Sequence, residues 1–211
     1  MKIVCAPVGP LQANCYLVSD DDGLTCVIDP GGEPDRLMDV AGKRGLTYKQ
    51  ILLTHGHFDH MGGAADLARL SSAPVACSQY IAPMLRDPDS YIPFPGFEGV
   101  PGHEPDRFVE DGDVLEVGEL RIATIATPGH SPGDLTFEIA GHLFCGDLLF
   151  HRSIGRTDLE GGDFDLLIAS VKKLMHMFPP ETPVHPGHMD STTLGEELRF
   201  NPFLRGLSPR G

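Results

Sequence analysis

The stretch from His55 to His60, His-Gly-His-Phe-Asp-His, holds four side chains able to bind a metal, and it follows the apolar run Ile51, Leu52 and Leu53. Side chains two apart in an extended segment point the same way, so His55 and His57 grip one ion together while Gly56 keeps the backbone slim between them. Asp59 and His60 fall where the chain turns into a helical pattern running to Leu70, which re-aims them. Two pairs of ligands with different directions predict two metals. A histidine-rich surface turn is the bland alternative, and tracts this dense in His and Asp usually bind metal.

A two-metal site needs more ligands, and three later places deliver one from the end of a strand-like run. His130 stands in Thr127-Pro-Gly-His130, directly after the β-branched and apolar stretch 120 to 126; Asp147 ends the run Leu143 to Gly146; His188 closes Pro186-Gly187-His188 after Pro183 and Val184. Pro and Gly make rigid turns that present the side chain that follows. His55, His57 and His130 are therefore assigned to one ion, Asp59, His60 and His188 to the other, and Asp147 to a bridging position. Imidazoles and carboxylates without a thiolate suit zinc first, with iron and manganese as alternatives. Two divalent ions roughly 3.5 to 4 Å apart share a water and lower its pKa towards about 7, which makes a hydrolase the expected outcome.

These residues resemble the metallo-β-lactamase superfamily, whose H-x-H-x-D-H signature stands intact at 55 to 60 and whose downstream ligands match His130, Asp147 and His188 in order. Asp29-Pro-Gly-Gly32 resembles the family's early loop beneath the site. The stretch Gly146-Asp147-Leu148-Leu149-Phe150, followed by Ser153-Ile-Gly-Arg-Thr-Asp158, resembles the short glyoxalase II-like hydrolases, as does the segment from Pro186 to Phe203. The resemblance implies a four-layer αββα sandwich of two mixed β-sheets. It also implies a thioester hydrolase acting on S-acyl derivatives of a small thiol, S-lactoylglutathione being the name-giving substrate. Asp59 then orients the attacking water, and Asp29 and Asp134 accept hydrogen bonds from ligand imidazoles. Phe150, His151 and Arg156 are the residues expected to meet the substrate, Arg156 through the bidentate grip of guanidinium on carboxylate; pairing with Asp158 or Glu160 is its alternative. The longer glyoxalase II enzymes add a C-terminal helical extension that contacts glutathione. The sequence ends at Gly211 without one, so another thiol carrier or a broader thioester range is expected.

The elements that must position these residues are legible in outline. Strands are predicted at about 2 to 5, 14 to 19, 24 to 29, 50 to 54, 74 to 77, 113 to 117, 120 to 126, 134 to 140 and 142 to 146, and helices at 33 to 44, 59 to 71, 78 to 86, 163 to 178 and 191 to 204. Asp163 is placed to cap the fourth helix, whose Phe164, Leu167, Ile168, Val171, Leu174 and Met175 recur at helical spacing. The Pro-Gly-His turns at 130 and 188 echo each other and suggest two related halves. Residues 87 to 106 form a long loop carrying Tyr91, Phe94, Phe97 and His103, expected to cover an acyl group or simply to pack.

Whole-chain numbers frame a single domain over 1 to 211. With 41% hydrophobic and 22% charged residues the composition is that of an ordinary globular protein. A net charge of −14 argues against a nucleic-acid partner, which needs clustered Lys and Arg. No apolar run is long enough for a membrane span, the N-terminus carries no secretory signal, and five scattered cysteines read as reduced core residues, so a cytoplasmic protein with a small-molecule thioester substrate is expected. Among rivals, a persulfide dioxygenase holds one iron with two His and one Asp, whereas His188 favours two metals. A nuclease needs a basic groove, and a decayed binding module would not keep seven ligands. A lactonase or other esterase of the same fold remains as an alternative.

Overall fold

The computed structural model describes residues 1–92 and 95–206. The first half forms a six-stranded sheet from β1 (Lys2–Val8), β2 (Ala13–Ser19), β3 (Leu24–Ile28), β4 (Thr47–Leu52), β5 (Val75–Cys77) and β6 (Arg107–Phe108), paired in that order. β1 to β3 are antiparallel; β3 to β6 are parallel. Between them run α1 (Pro34–Arg44), α2 (Phe58–Met61), α3 (Ala64–Ser71) and α4 (Ala82–Arg86). The second half contributes β7 (Val114–Val117), β8 (Leu120–Ala126), β9 (Leu135–Ile139) and β10 (His142–Gly146), then the small hairpin β11 (Leu149–Phe150) and β12 (Ser153–Ile154), α5 (Phe164–Met177), β13 (Pro183–Pro186), β14 (Thr192–Thr193) and α6 (Leu194–Phe200). The second sheet has the order β14, β13, β10, β9, β8, β7, with β10 and β13 the parallel pair.

Three apolar cores explain why the layers stack as they do. Tyr16, Val18, Ile28 and Leu52 of the first sheet meet Ile122, Leu135, Phe137 and Phe144 of the second, so the sheets pack face to face. The outer face of the first sheet buries Leu17, Val27 and Ile51 against Leu37, Leu67 and Leu85 of the helices. Leu143, Cys145 and Val184 on the outer face of the second do the same with Leu167, Val171, Leu174 and Leu194. That is the predicted four-layer αββα sandwich of two mixed sheets. β2 is buried at every position because both its faces are covered, which is why Cys15 to Val18 read as an apolar run.

Several predicted elements change shape. The helix expected over 59 to 71 is α2 and α3, broken where Gly63 donates its N–H to the Pro30 carbonyl at 2.8 Å. The helix expected over 191 to 204 begins instead as β14, which pairs with β13, and stops at Asn201 before Pro202. That over 78 to 86 shortens to α4. β6, β11, β12 and β14 have two residues each, too few to show a period. Both Pro-Gly-His turns belong to the second sheet, so their echo does not relate one half of the chain to the other. Asp163 caps α5 as expected, accepting the Leu166 N–H at 2.9 Å. No helix among the described residues is long and apolar enough to cross a membrane.

Candidate metal centre

The ligand candidates converge from loops that follow the C-terminal ends of β4, β8, β10 and β13. His55, His57 and His130 form one group and Asp59, His60 and His188 another, the candidate ligand atoms in each lying within 4.8 Å of one another. His130 Nε2 is 2.8 Å from His57 Nδ1, and His188 Nε2 is 3.1 Å from Asp59 Oδ2 and 3.4 Å from His60 Nε2. Asp147 stands between the groups: its Oδ2 is 3.7 Å from His130 Nε2 and 3.8 Å from His188 Nε2, and its Oδ1 is 3.4 Å from His60 Nε2. His55 and His57 stand either side of Gly56 in the loop after β4 and the one-turn helix α2 carries Asp59 and His60, so the two pairs fall into the two groups anticipated from sequence. Glycine makes the crowding possible. A Cβ on Gly187 would lie 2.3 Å from Asp147 Oδ1 and 2.5 Å from His60 Cε1, and one on Gly56 would strike Ile81 and Met84.

Hydrogen bonds behind the rings fix which nitrogens face inward. Asp29 Oδ2 accepts the Thr54 hydroxyl at 2.6 Å and lies 3.0 Å from His60 Nδ1, while Asp29 Oδ1 accepts the Thr54 N–H at 2.8 Å. The hydroxyl proton is committed to Asp29, so Thr54 Oγ1, 3.0 Å from His55 Nδ1, accepts from that ring. His130 Nδ1 donates to the Arg156 carbonyl at 2.8 Å. The Nε2 atoms of His55 and His130 are thereby left bare, and a proton is placed on the Nδ1 of His60. Asp29 thus orients one ring directly, as expected, and a second through Thr54. Thr54 and the Arg156 carbonyl were not singled out from sequence; a hydroxyl next to the first ligand at a strand tip is the signal for Thr54, and nothing local signals a backbone carbonyl. Asp134 departs from expectation: its carboxylate accepts the Ser131 N–H at 2.6 Å and the Ser131 hydroxyl, and so ties the turn behind His130 without a bond to an imidazole.

Burial and mutual repulsion set the charges. Burial first, then the neighbouring imidazoles, push His55 well below the usual histidine range; burial likewise takes His57 to about 4 and His130 to about 3. For His60 burial acts downward too, and the carboxylates of Asp147, Asp29 and Asp59 overrule it, lifting the ring to about 10. Burial alone would raise Asp59, but His188 and His60 bring it to about 2; burial raises Asp147. Two buried atoms bear on whether divalent ions fit: His55 Nε2 and Asp147 Oδ1 have no hydrogen-bond partner. Leaving such atoms unpaired costs free energy, and neutral imidazoles beside carboxylates are a donor set that a cation satisfies. The residues fit two divalent ions.

A cleft of about 380 Å³ opens onto these residues. Phe150 and Arg156 line it with Leu11, Phe58, Tyr91, Leu159 and Met189; His151 does not, because it sits exposed in the turn of the β11–β12 hairpin. One edge of the Arg156 guanidinium, Nε and Nη2, donates to the two carboxylate oxygens of Asp158 at 2.7 and 2.8 Å, the pairing given as its alternative. From the long loop Tyr91 reaches the cleft and Phe97 packs on Phe58 with ring centroids 4.9 Å apart; Phe94 lies outside the described residues. Cys145 is buried in the outer core of the second sheet, its thiol pushed up by burial to about 12, and all five cysteines are free, Cys5 alone being exposed. His142 and His185 stack on each other away from the cleft.

Residues 8–200 match the metallo-beta-lactamase superfamily. The chain belongs to that superfamily. Similar proteins include a probable metallo-hydrolase, YqgX, of Bacillus subtilis, 38% identical with 99% of this chain and all of that protein covered. Hydroxyacylglutathione hydrolase GloC of Haemophilus influenzae is 35% identical, again over 99% of this chain and all of that one. Among solved structures, the BLEG-1 B3 metallo-beta-lactamase superposes with a TM-score of 0.92 at 36% identity, covering 97% of this chain and all of that one. TTHA1623 in a di-iron-bound form gives 0.83 at 40% identity over 95% of this chain and all of that one. Superfamily membership makes the chain a metallo-hydrolase, and the His and Asp clusters suit divalent metal.

Proposed function

We propose that the protein is a two-metal thioesterase of the glyoxalase II-like kind, cleaving S-acyl derivatives of a small thiol, with zinc or iron as the resident ions. The observation that carries this reading is the position of Asp147, one carboxylate oxygen nearly equidistant from His130 and His188 at 3.7 and 3.8 Å. Two divalent ions bound by His55, His57, His130 and by Asp59, His60, His188, with Asp147 between, would supply a water of lowered pKa and Lewis acidity at the carbonyl and the departing sulfur. The chain's own residues do the rest. His55, His57 and His130 stay neutral at physiological pH because burial holds them there, so their lone pairs are available. Asp59, kept ionised by His188 and His60, accepts a hydrogen bond from the attacking water and orients it. Phe58, Phe150 and Leu159 dry the cleft around the reacting bond. Cys145 is disqualified as a nucleophile by its burial and raised pKa, which leaves water as the attacking group.

The relative named as a hydroxyacylglutathione hydrolase supports the thioester reading; the likeness to a B3 metallo-beta-lactamase favours a second one, hydrolysis of β-lactams. A panel of thioesters, lactones, β-lactams and phosphodiesters, run with elemental analysis of the same preparation, separates them. Thioesters are expected to give the highest kcat/KM with two ions per chain. A β-lactam turned over faster than any thioester would overturn the first reading, and one iron per chain with oxygen consumed on adding a persulfide would overturn both.

A further inference from the structure

Resting on the two-metal reading, we propose that Asn14 is a positioning residue for the second ion: it sets the place of His188 and thereby whether the centre holds two ions or one. His188 is held differently from other imidazoles of the site. His55, His60 and His130 each have a partner behind the ring, at Thr54, Asp29 and the Arg156 carbonyl. His188 is met only through Nε2, by Asp59 and His60, and among the described residues its Nδ1 has no hydrogen-bond partner. Its side chain is 24% exposed, against 0% for His60 and 3% for His130. A ring with nothing behind it takes its place from its backbone.

That backbone is gripped from the opposite sheet. Asn14 donates from Nδ2 to the Pro186 carbonyl at 3.0 Å and to the Met189 carbonyl at 2.8 Å, and from its backbone N–H to the Gly187 carbonyl at 2.7 Å. Tyr16, two residues on and on the same face of β2, donates its hydroxyl to the Pro186 carbonyl at 2.7 Å. Two residues of the first sheet thus hold carbonyls on both sides of His188, which the second sheet supplies through β13. Asn14 and Tyr16 are both buried, where such bonds are strong because water does not compete. Met189 has a φ of 68°, which costs free energy in a residue with a side chain, and the bond to its carbonyl helps to hold it there.

The chemistry of the clamp explains the residue type. Both partners of the Asn14 Nδ2 are carbonyl oxygens, and an uncharged amide brings two N–H donors to a buried place where a hydroxyl brings one and a carboxylate none. The amide oxygen accepts the Cys5 thiol at 3.4 Å. The grip is selective for one ion. Among the described residues neither Asn14 nor Tyr16 hydrogen-bonds to His55, His57 or His130, whereas the turn they hold lies against Asp147 and His60, where a Cβ on Gly187 finds no room. Released from β2, the turn loses its single seat and carries His188 away from Asp59 and His60.

The test strips the protein with a chelator and measures both zinc binding constants by competition with a chromophoric chelator, in the wild type, Asn14→Ala and Tyr16→Phe. In Asn14→Ala the second constant should fall about 100-fold while the first stays within about twofold. Tyr16→Phe removes one of the four bonds and keeps the packing, and should weaken the second ion about fivefold. With two zinc ions per chain Asn14→Ala should be nearly inactive, and excess zinc should restore the rate, because every ligand is present and only the placement of one is lost. A role confined to packing would lower Tm, leave the ratio of the two constants where it is, and give a rate that zinc does not recover. A ratio unmoved in both variants, or loss of the first ion together with the second, overturns the inference while the two-metal thioesterase reading stands. A single binding constant in the wild type overturns that reading, and the inference with it. Selective loss of the second ion in both variants, with no thioester hydrolysed by the wild type, supports the role of Asn14 and overturns the thioesterase reading alone.

Discussion

Asp29, Thr54 and His60 share one hydrogen-bonded cluster, and Thr54 extends it to His55, so a single carboxylate governs the rings of both candidate groups. Asp29→Ala should therefore weaken metal binding by about 100-fold, the upper range for lost ligand-orienting bonds, and cost about 3 kcal/mol of stability through orphaned donors. Thr54→Val keeps the shape and removes only the hydroxyl, so about a tenfold loss of affinity without loss of fold is expected. Competition with a chromophoric chelator, alongside circular dichroism, measures both. Proton competition distinguishes the two groups. With His57 at about 4 and His130 at about 3, protons hardly contest the three-histidine group at neutral pH, whereas His60 at about 10 must lose a proton before it can bind an ion. Below the pKa of His60 the second ion's binding constant should rise about tenfold per pH unit, and the first ion's should barely change between pH 6 and 8. Calorimetric titration at pH 6, 7 and 8 reads this directly; identical pH dependence for both ions would refute the assignment of His60.

Gly187 shows how an element, rather than a ligand, makes a site. The turn after β13 is held on β2 by Asn14, whose N–H donates to the Gly187 carbonyl at 2.7 Å, and it passes so close to Asp147 and His60 that no side chain fits. Gly187→Ala should displace the group containing His60 and His188 and reduce the ion count from two per chain to one, measured by elemental analysis; an unchanged count would show that the turn is not rigid. Much at this scale was legible beforehand. The long alternating and apolar runs located β2, β3, β8 and β10, and the stripe of Leu167, Val171 and Leu174 located α5 together with its Asp163 cap. What escaped was decided by contacts far apart in sequence: α2 and α3 separate because Gly63 bonds to Pro30, and β14 exists because β13 offers it an edge. His151, expected to meet the substrate, is sent outward by a tight hairpin turn, whereas the pairing of Arg156 with Asp158, two residues away, is the alternative that the sequence offers.

Three cores, one between the sheets and one on each outer face, hold the strand ends at the mouth of the cleft, and the metal centre draws all its candidate ligands from loops at those ends. The molecule as a whole therefore bears the strain of the site: buried carboxylates and imidazoles with bare atoms oppose folding until a cation joins them. Stripping with a chelator should lower Tm by about 10 °C, from roughly 4 kcal/mol of binding linkage in a chain of this size, with full recovery on readdition. Scanning calorimetry of both forms would check it. The ligands were legible because metal chemistry restricts them to few residue types at strand tips; the cleft was not, since Leu11, Tyr91 and Met189 meet only in three dimensions. The proposed thioesterase needs seven side chains to assemble a two-ion hydrolytic centre. That requirement is tested most directly by adding zinc to chelator-stripped protein while following thioester hydrolysis. The rate should reach its plateau at two ions per chain and stay at background throughout in His57→Ala and Asp147→Ala, each still folded; a plateau at one ion, or near-normal turnover in either variant, would contradict it.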